Sequence, residues 1–195
     1  MSSTKSPEER ASGSGGRPSG APASPEISQR IESGVPGFDV VTGGGFRKGG
    51  VYLLAGGPGT GKTVIANQIC FARAQRGETC LYVTVLSESH GRMVGNLESF
   101  DFFDADRVGS QIIYVSGVQA LRDHALEGLY DFVRAELQRR KPSVIVLDGL
   151  SIGVRYAGGS EPDLNTFLDR LSSLLEFHGS TGILCALSRK GIIAA

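Results

Sequence analysis

From Val51 onward, short apolar runs alternate with longer segments in which apolar residues recur every three or four positions. The runs are "VYLLAG" (Val51–Gly56), "CLYVTVL" (Cys80–Leu86), "QIIYVSG" (Gln111–Gly117), "SVIVLD" (Ser143–Asp148) and "TGILCALS" (Thr181–Ser188). Their length, aliphatic content and bounding Gly or polar residues predict strands. "KTVIANQICFARAQRG" predicts a helix with a glycine stop at Gly77, and "GRMVGNLESF" (Gly91–Phe100) a shorter one. A further helix is expected from about Asp123 to Arg139, with Leu126, Leu129, Val133 and Leu137 on one face. Another carries Leu164, Phe167, Leu168, Leu171, Leu174 and Leu175, with Ser160 as its N-cap and Pro162 in its first turn. Strands that read as unbroken apolar runs are covered on both faces. The expectation is therefore an α/β fold whose mostly parallel sheet lies between two helical layers.

Residues 1–26 break this pattern. They are rich in Ser, Gly, Pro and Ala and hold almost no large apolar side chain. Such a segment cannot bury enough surface to offset the entropy of ordering it, and a disordered tail is expected. Residues 27–195 then form one domain, large enough to bury a core. Its last residues, "RKGIIAA", complete no further element, so a C-terminally truncated domain is expected.

Twenty basic and twenty acidic residues cancel. The chain offers no net charge to draw nucleic acid or a membrane surface. Cys70, Cys80 and Cys185 are scattered through apolar segments without metal-ligand spacing, which predicts buried, reduced thiols. No apolar run approaches the roughly 18 residues of a membrane span. The N-terminus has no signal-peptide core, so the cytoplasm is the expected location.

The candidate chemistry begins at "GGPGTGKT", which is Gly56, Gly57, Pro58, Gly59, Thr60, Gly61, Lys62 and Thr63. It fits G-x-x-x-x-G-K-[ST], with a predicted strand before it and a predicted helix after it. Glycines let a backbone fold around a phosphate with N–H groups pointing inward. The following helix contributes about half a positive charge at its N-terminus. Lys62 is expected to reach the β- and γ-phosphates, and Thr63 to place its hydroxyl on Mg²⁺. Asp148 ends the fourth run, at the sheet edge where open α/β folds bind ligands, and is expected to hold the same metal. An Asp-Glu pair, as in AAA+ ATPases, is absent: Gly149, Leu150 and Ser151 follow Asp148. The catalytic carboxylate must then come from elsewhere. Glu88 is the candidate, just past a strand expected to be able to lie beside the phosphate-loop strand. His90 reads as a lone exposed histidine, and His124 and His178 fall in no partner pattern.

At this point the chain resembles a known group. "IESGVPGFDVVTGGGFRKGGVYLLAGGPGTGKTVIANQI" (Ile31–Ile69) looks like the opening of a KaiC domain, within the RecA-like ATPases. The likeness includes Ser33–Asp39 and Gly43–Gly45 and continues through "LYVTVLSES" and "VIVLDGLS" to about Ser188. It implies a three-layer RecA-like P-loop core that binds ATP with Mg²⁺ and hydrolyses it, often as a homo-oligomeric ring. In that family a glutamate pair follows the second strand and activates water. Here Leu86 and Ser87 stand at that place and Glu88 follows, so the resemblance moves the base role to Glu88. The family's later strands bring basic residues into a neighbour's site. Here only Arg189 and Lys190 remain, so that charge is expected to be missing and a sheet edge to be left unpaired.

Several readings remain open. One is an Mg²⁺-dependent ATPase in signalling or regulation, with an unknown protein client. Another is a nucleotide-dependent binding module that hydrolyses little. Serine/threonine kinase activity, which the KaiC name implies, is disfavoured because the family's phosphorylated residues lie in a second domain. A RecA-like DNA-binding role is disfavoured by the zero net charge and by Arg155 as the lone cation in Gly153–Gly159.

Overall fold

The computed structural model describes residues 30–85, 89–150 and 161–187. Residues 1–26, Glu88, Gly153–Gly159, Ser160 and Arg189–Lys190 lie outside them. Two short strands, β1 (Arg30–Ile31) and β2 (Phe46–Arg47), pair antiparallel around helix α1 (Phe38–Val41). The main elements follow as β3 (Val51–Gly56), α2 (Lys62–Gln75), β4 (Cys80–Thr84), α3 (His90–Gly95), β5 (Ile112–Ser116), α4 (Val118–Arg140), β6 (Val144–Asp148), α5 (Glu161–His178) and β7 (Thr181–Leu187). Five strands form one sheet in the order β3-β7-β6-β4-β5, and every pairing in it is parallel.

This order corrects one expectation. β4 is not beside β3, because β7 and β6 lie between them. Each parallel neighbour must be reached by a crossover, so chain succession does not set adjacency. β6 becomes the middle strand, with β4 at its side.

The strands carry apolar side chains on both faces for the reason their sequences suggest. In β4, Cys80 and Tyr82 join the core under α2, while Leu81 and Val83 join the core under α4 and α5. In β6, Val144 and Val146 face the first core and Ile145 and Leu147 the second. The period of two sorts alternate residues to opposite faces, and a helical layer on each face keeps every one dry. The three cysteines are free and buried. β3 is the exception: among the described residues it pairs with β7 alone, and Leu53 is 61% exposed.

The helices differ from expectation at their starts. The first helix to cover the second core begins at Val118, not near Asp123, and breaks at His124 (φ −138°) and Ala125 (φ 50°). Beyond the break, Leu126, Leu129, Val133 and Leu137 are buried as their spacing predicts. The fold-back brings the Ala120 carbonyl against Gly128, where a Cβ would lie 2.3 Å from that oxygen. Gly128→Ala is expected to destabilise the chain by about 1–3 kcal/mol through overpacking, as measured by urea unfolding.

Candidate functional site

β3 ends at Gly56 and α2 begins at Lys62, so the loop between them projects from the carboxyl edge of the sheet. Gly59 (φ 73°) and Gly61 (φ 83°) hold left-handed backbone, and a Cβ at either would meet nothing. Conformation, not crowding, requires glycine at these two positions. The first-turn N–H groups of α2 have no carbonyl a turn earlier to bond, and Gly61 caps them without a side chain. The loop therefore presents backbone donors at the positive end of a helix. Pro58 and Thr60 are exposed on the loop, and Thr60 Oγ1 donates to the Gly57 carbonyl at 3.0 Å.

Lys62 folds over its own loop. Its Nζ donates to the carbonyls of Gly56 (3.0 Å) and Gly57 (2.6 Å) and lies 3.3 Å from Thr60 Oγ1. These are neutral acceptors, and an anion seated in the loop would compete with them for the ammonium group. Thr63, one residue on, points the other way. Its hydroxyl donates to Asp148 Oδ2 at 2.8 Å, which joins the helix to the end of the middle strand. The structure thus brings Thr63 and Asp148 together although they stand 85 positions apart in the sequence.

Behind this pair lies a polar network that the sequence reading missed. The Tyr82 hydroxyl, on β4, also donates to Asp148 Oδ2, at 2.8 Å. Asn67 Nδ2 donates to the Thr63 carbonyl at 2.8 Å, and Tyr114 donates to Asn67 Oδ1 at 2.7 Å. Burial, reinforced by the Asp148 charge, pushes the Tyr82 hydroxyl well above its usual range. Burial does the same for Tyr114. Both phenols are therefore protonated donors at neutral pH. Burial, then the nearby Asp148 charge, also raises the Cys185 thiol, which sits under the Lys62 carbonyl. The available signals were a tyrosine in the middle of a buried strand and an asparagine on the buried face of α2. Each polar tip had to find a partner.

Residues 31–192 match the family described as "ATPase: KaiC". The chain belongs to the KaiC ATPase family. It is similar to circadian clock protein KaiC3 of Synechocystis, at 29% identity over 166 residues covering 81% of this chain and 32% of KaiC3. It is similar to the circadian clock oscillator protein KaiC of Picosynechococcus, at 32% identity over 63% of this chain and 23% of that protein. A UPF0273 protein of Methanopyrus kandleri is 40% identical over 37% of this chain and 28% of its own length. The chain thus spans about a third or less of the length of these curated relatives.

In this KaiC-family domain Glu88 lies outside the described residues, but the residues bounding its segment are anchored at the site. The Val85 N–H donates to the Asp148 carbonyl at 3.0 Å. His90 opens α3, with Ser89 as N-cap, and its Nε2 lies 2.8 Å from the Thr84 hydroxyl. His90 is therefore neither lone nor fully exposed, which corrects the sequence reading. Thr84 stands level with Asp148 across the β4–β6 ladder, so the histidine pins the start of α3 beside the carboxylate. Thr84 is 5% exposed and would lose this partner in His90→Ala. That variant is expected to lose about 1 kcal/mol of unfolding free energy. Combined with Thr84→Val, the loss is expected to fall short of the sum of the two single losses by about 0.5 kcal/mol or more in a urea double-mutant cycle.

Proposed function

We propose that the chain binds ATP with Mg²⁺ in the Gly56–Thr63 loop and hydrolyses it to ADP and phosphate. The observation that carries this reading is the Thr63–Asp148 hydrogen bond, which brings the loop's hydroxyl and the strand-end carboxylate to one point. A hydroxyl and a carboxylate 2.8 Å apart are hard oxygen donors of the kind Mg²⁺ takes. Thr63 and Asp148 would hold the ion, directly or through water. The ion would supply charge neutralisation between the β- and γ-phosphates.

In this reading the backbone N–H groups of residues 57–63, Pro58 excepted, cradle the phosphates. Lys62 exchanges the Gly56 and Gly57 carbonyls for the phosphate oxygens. Glu88 accepts the proton of a water molecule whose oxygen attacks the γ-phosphorus as the bond to the β,γ-bridging oxygen breaks. The anchoring of Val85 and His90 beside Asp148 supports this role, since Ser89 alone stands between Glu88 and His90 in the sequence. We further assign the protein a signalling or regulatory task in the cytoplasm, as a homo-oligomer with a protein client, in keeping with the clock-protein names of its relatives. Among the described residues no helix is long and apolar enough to cross a membrane.

Lys62→Ala is expected to weaken ATP binding at least tenfold in equilibrium titration while the far-ultraviolet circular dichroism spectrum stays native. Unchanged binding would overturn the site assignment. Glu88→Gln is expected to keep ATP affinity and lose about 100-fold in phosphate release. If wild type and Glu88→Gln bind ATP equally and neither turns it over, the chain is a nucleotide-dependent binding module instead.

A further inference from the structure

Asp148 reaches the loop from a strand end, where a carboxylate on two rotatable bonds could take several orientations. Its Oδ2 receives two hydrogen bonds, from Thr63 and from Tyr82, each 2.8 Å long. Oδ2 is thus the oxygen that both donors anchor. Of the two donors, Thr63 belongs to the site itself. Tyr82 does not: it lies in the interior of β4, fully buried, and has no path to a bound nucleotide.

The sheet explains how this tyrosine reaches the site. Tyr82 stands beside Val146 in the β4–β6 ladder, and Asp148 is two residues beyond Val146. The alternation of a strand puts Tyr82, Val146 and Asp148 on the same face, the one under α2. Asp148 is then the diagonal neighbour of Tyr82, a separation that a tyrosine's length can bridge. The ring is held in turn. Tyr114, on β5, packs against it with centroids 5.3 Å apart, and is itself tied through Asn67 to the Thr63 carbonyl. A buried hydroxyl in this setting cannot turn to water and keeps its bond to the carboxylate.

We propose that Tyr82 is a positioning residue that fixes the Asp148 carboxylate and thereby sets the site's affinity for Mg²⁺ in the presence of nucleotide. The proposal rests on the reading of Thr63 and Asp148 as the metal-holding pair. The Thr63 hydroxyl would offer the ion a lone pair and could keep its O–H on Asp148, and Tyr82 would hold the same Asp148 oxygen from inside the sheet. Groups that orient a metal ligand from behind influence affinity strongly, by about 10- to 100-fold when removed.

The test uses the full chain, a fluorescent N-methylanthraniloyl derivative of ATP, and titration with Mg²⁺. Tyr82→Phe removes the hydroxyl and keeps the ring. It is expected to raise the Mg²⁺ concentration at half-maximal binding about tenfold, while affinity in EDTA stays the same. A purely structural role would weaken both affinities together. A Mg²⁺ midpoint equal to wild type, or equal losses with and without Mg²⁺, overturns the proposal. A wild-type chain that binds the nucleotide with no response to Mg²⁺ overturns the metal-pair reading, and the tyrosine's role with it. A second comparison covers the case in which Tyr82→Phe folds poorly. Asp148→Asn is expected to blunt the Mg²⁺ response, and adding Tyr114→Phe, which unties the ring packed on Tyr82 from Asn67, is expected to change it no further. Tyr114→Phe alone is expected to raise the Mg²⁺ midpoint. A midpoint unmoved by Tyr114→Phe, or a further loss on top of Asp148→Asn, counts against action through the carboxylate.

Discussion

All five strands of the main sheet run parallel, and the site depends on that constraint. Parallel strands send every carboxyl end to one edge. Gly56 is level with Leu187, Asp148 with Cys185, and Thr84 with both Asp148 and Ser116. The glycine-rich loop, the strand-end carboxylate and the start of α3 therefore gather on one side of the molecule. None of them is close to the others in sequence. An antiparallel arrangement would send alternate strand ends to opposite edges and separate these groups.

The same geometry makes the interior of the sheet part of the site. A strand with both faces covered has no surface on which to leave a polar side chain unpaired. Tyr82, Asn67 and Tyr114 satisfy one another and the groups of the loop, and no buried side-chain polar atom among the described residues lacks a partner. The network ties β4, β5 and β6 to the first turn of α2. Its members are uncharged apart from Asp148, so a single negative charge sits at the foot of a loop whose donors favour anions. In the proposed reading, a cation between the carboxylate and a phosphate would relieve that opposition at the paired Thr63 and Asp148 oxygens.

Several elements of the candidate site and the fold were legible because they are local. The loop's glycines answer to backbone angles at Gly59 and Gly61, the strands to unbroken apolar runs, and the buried face of α4 to its leucine spacing. Asp148 was legible because a carboxylate closing an apolar strand must emerge at the sheet's edge. The break at His124–Ala125 was not, since it turns on the close approach of Ala120 to Gly128. His90 looked unpartnered because its partner Thr84 lies at the end of β4 and follows no spacing pattern.

The chain's own pattern thus determined its fold class, its glycine-rich loop and the carboxylate at the end of β6. These follow from local sterics and from burial, which act on neighbours in sequence. Tertiary structure alone decided the strand order, which puts β4 beside β6 and not beside β3. It also decided that Tyr82 would stand diagonally behind Asp148. Both are outcomes of how crossovers pack helices on the two faces, and no single segment carries the energy that chooses among those arrangements.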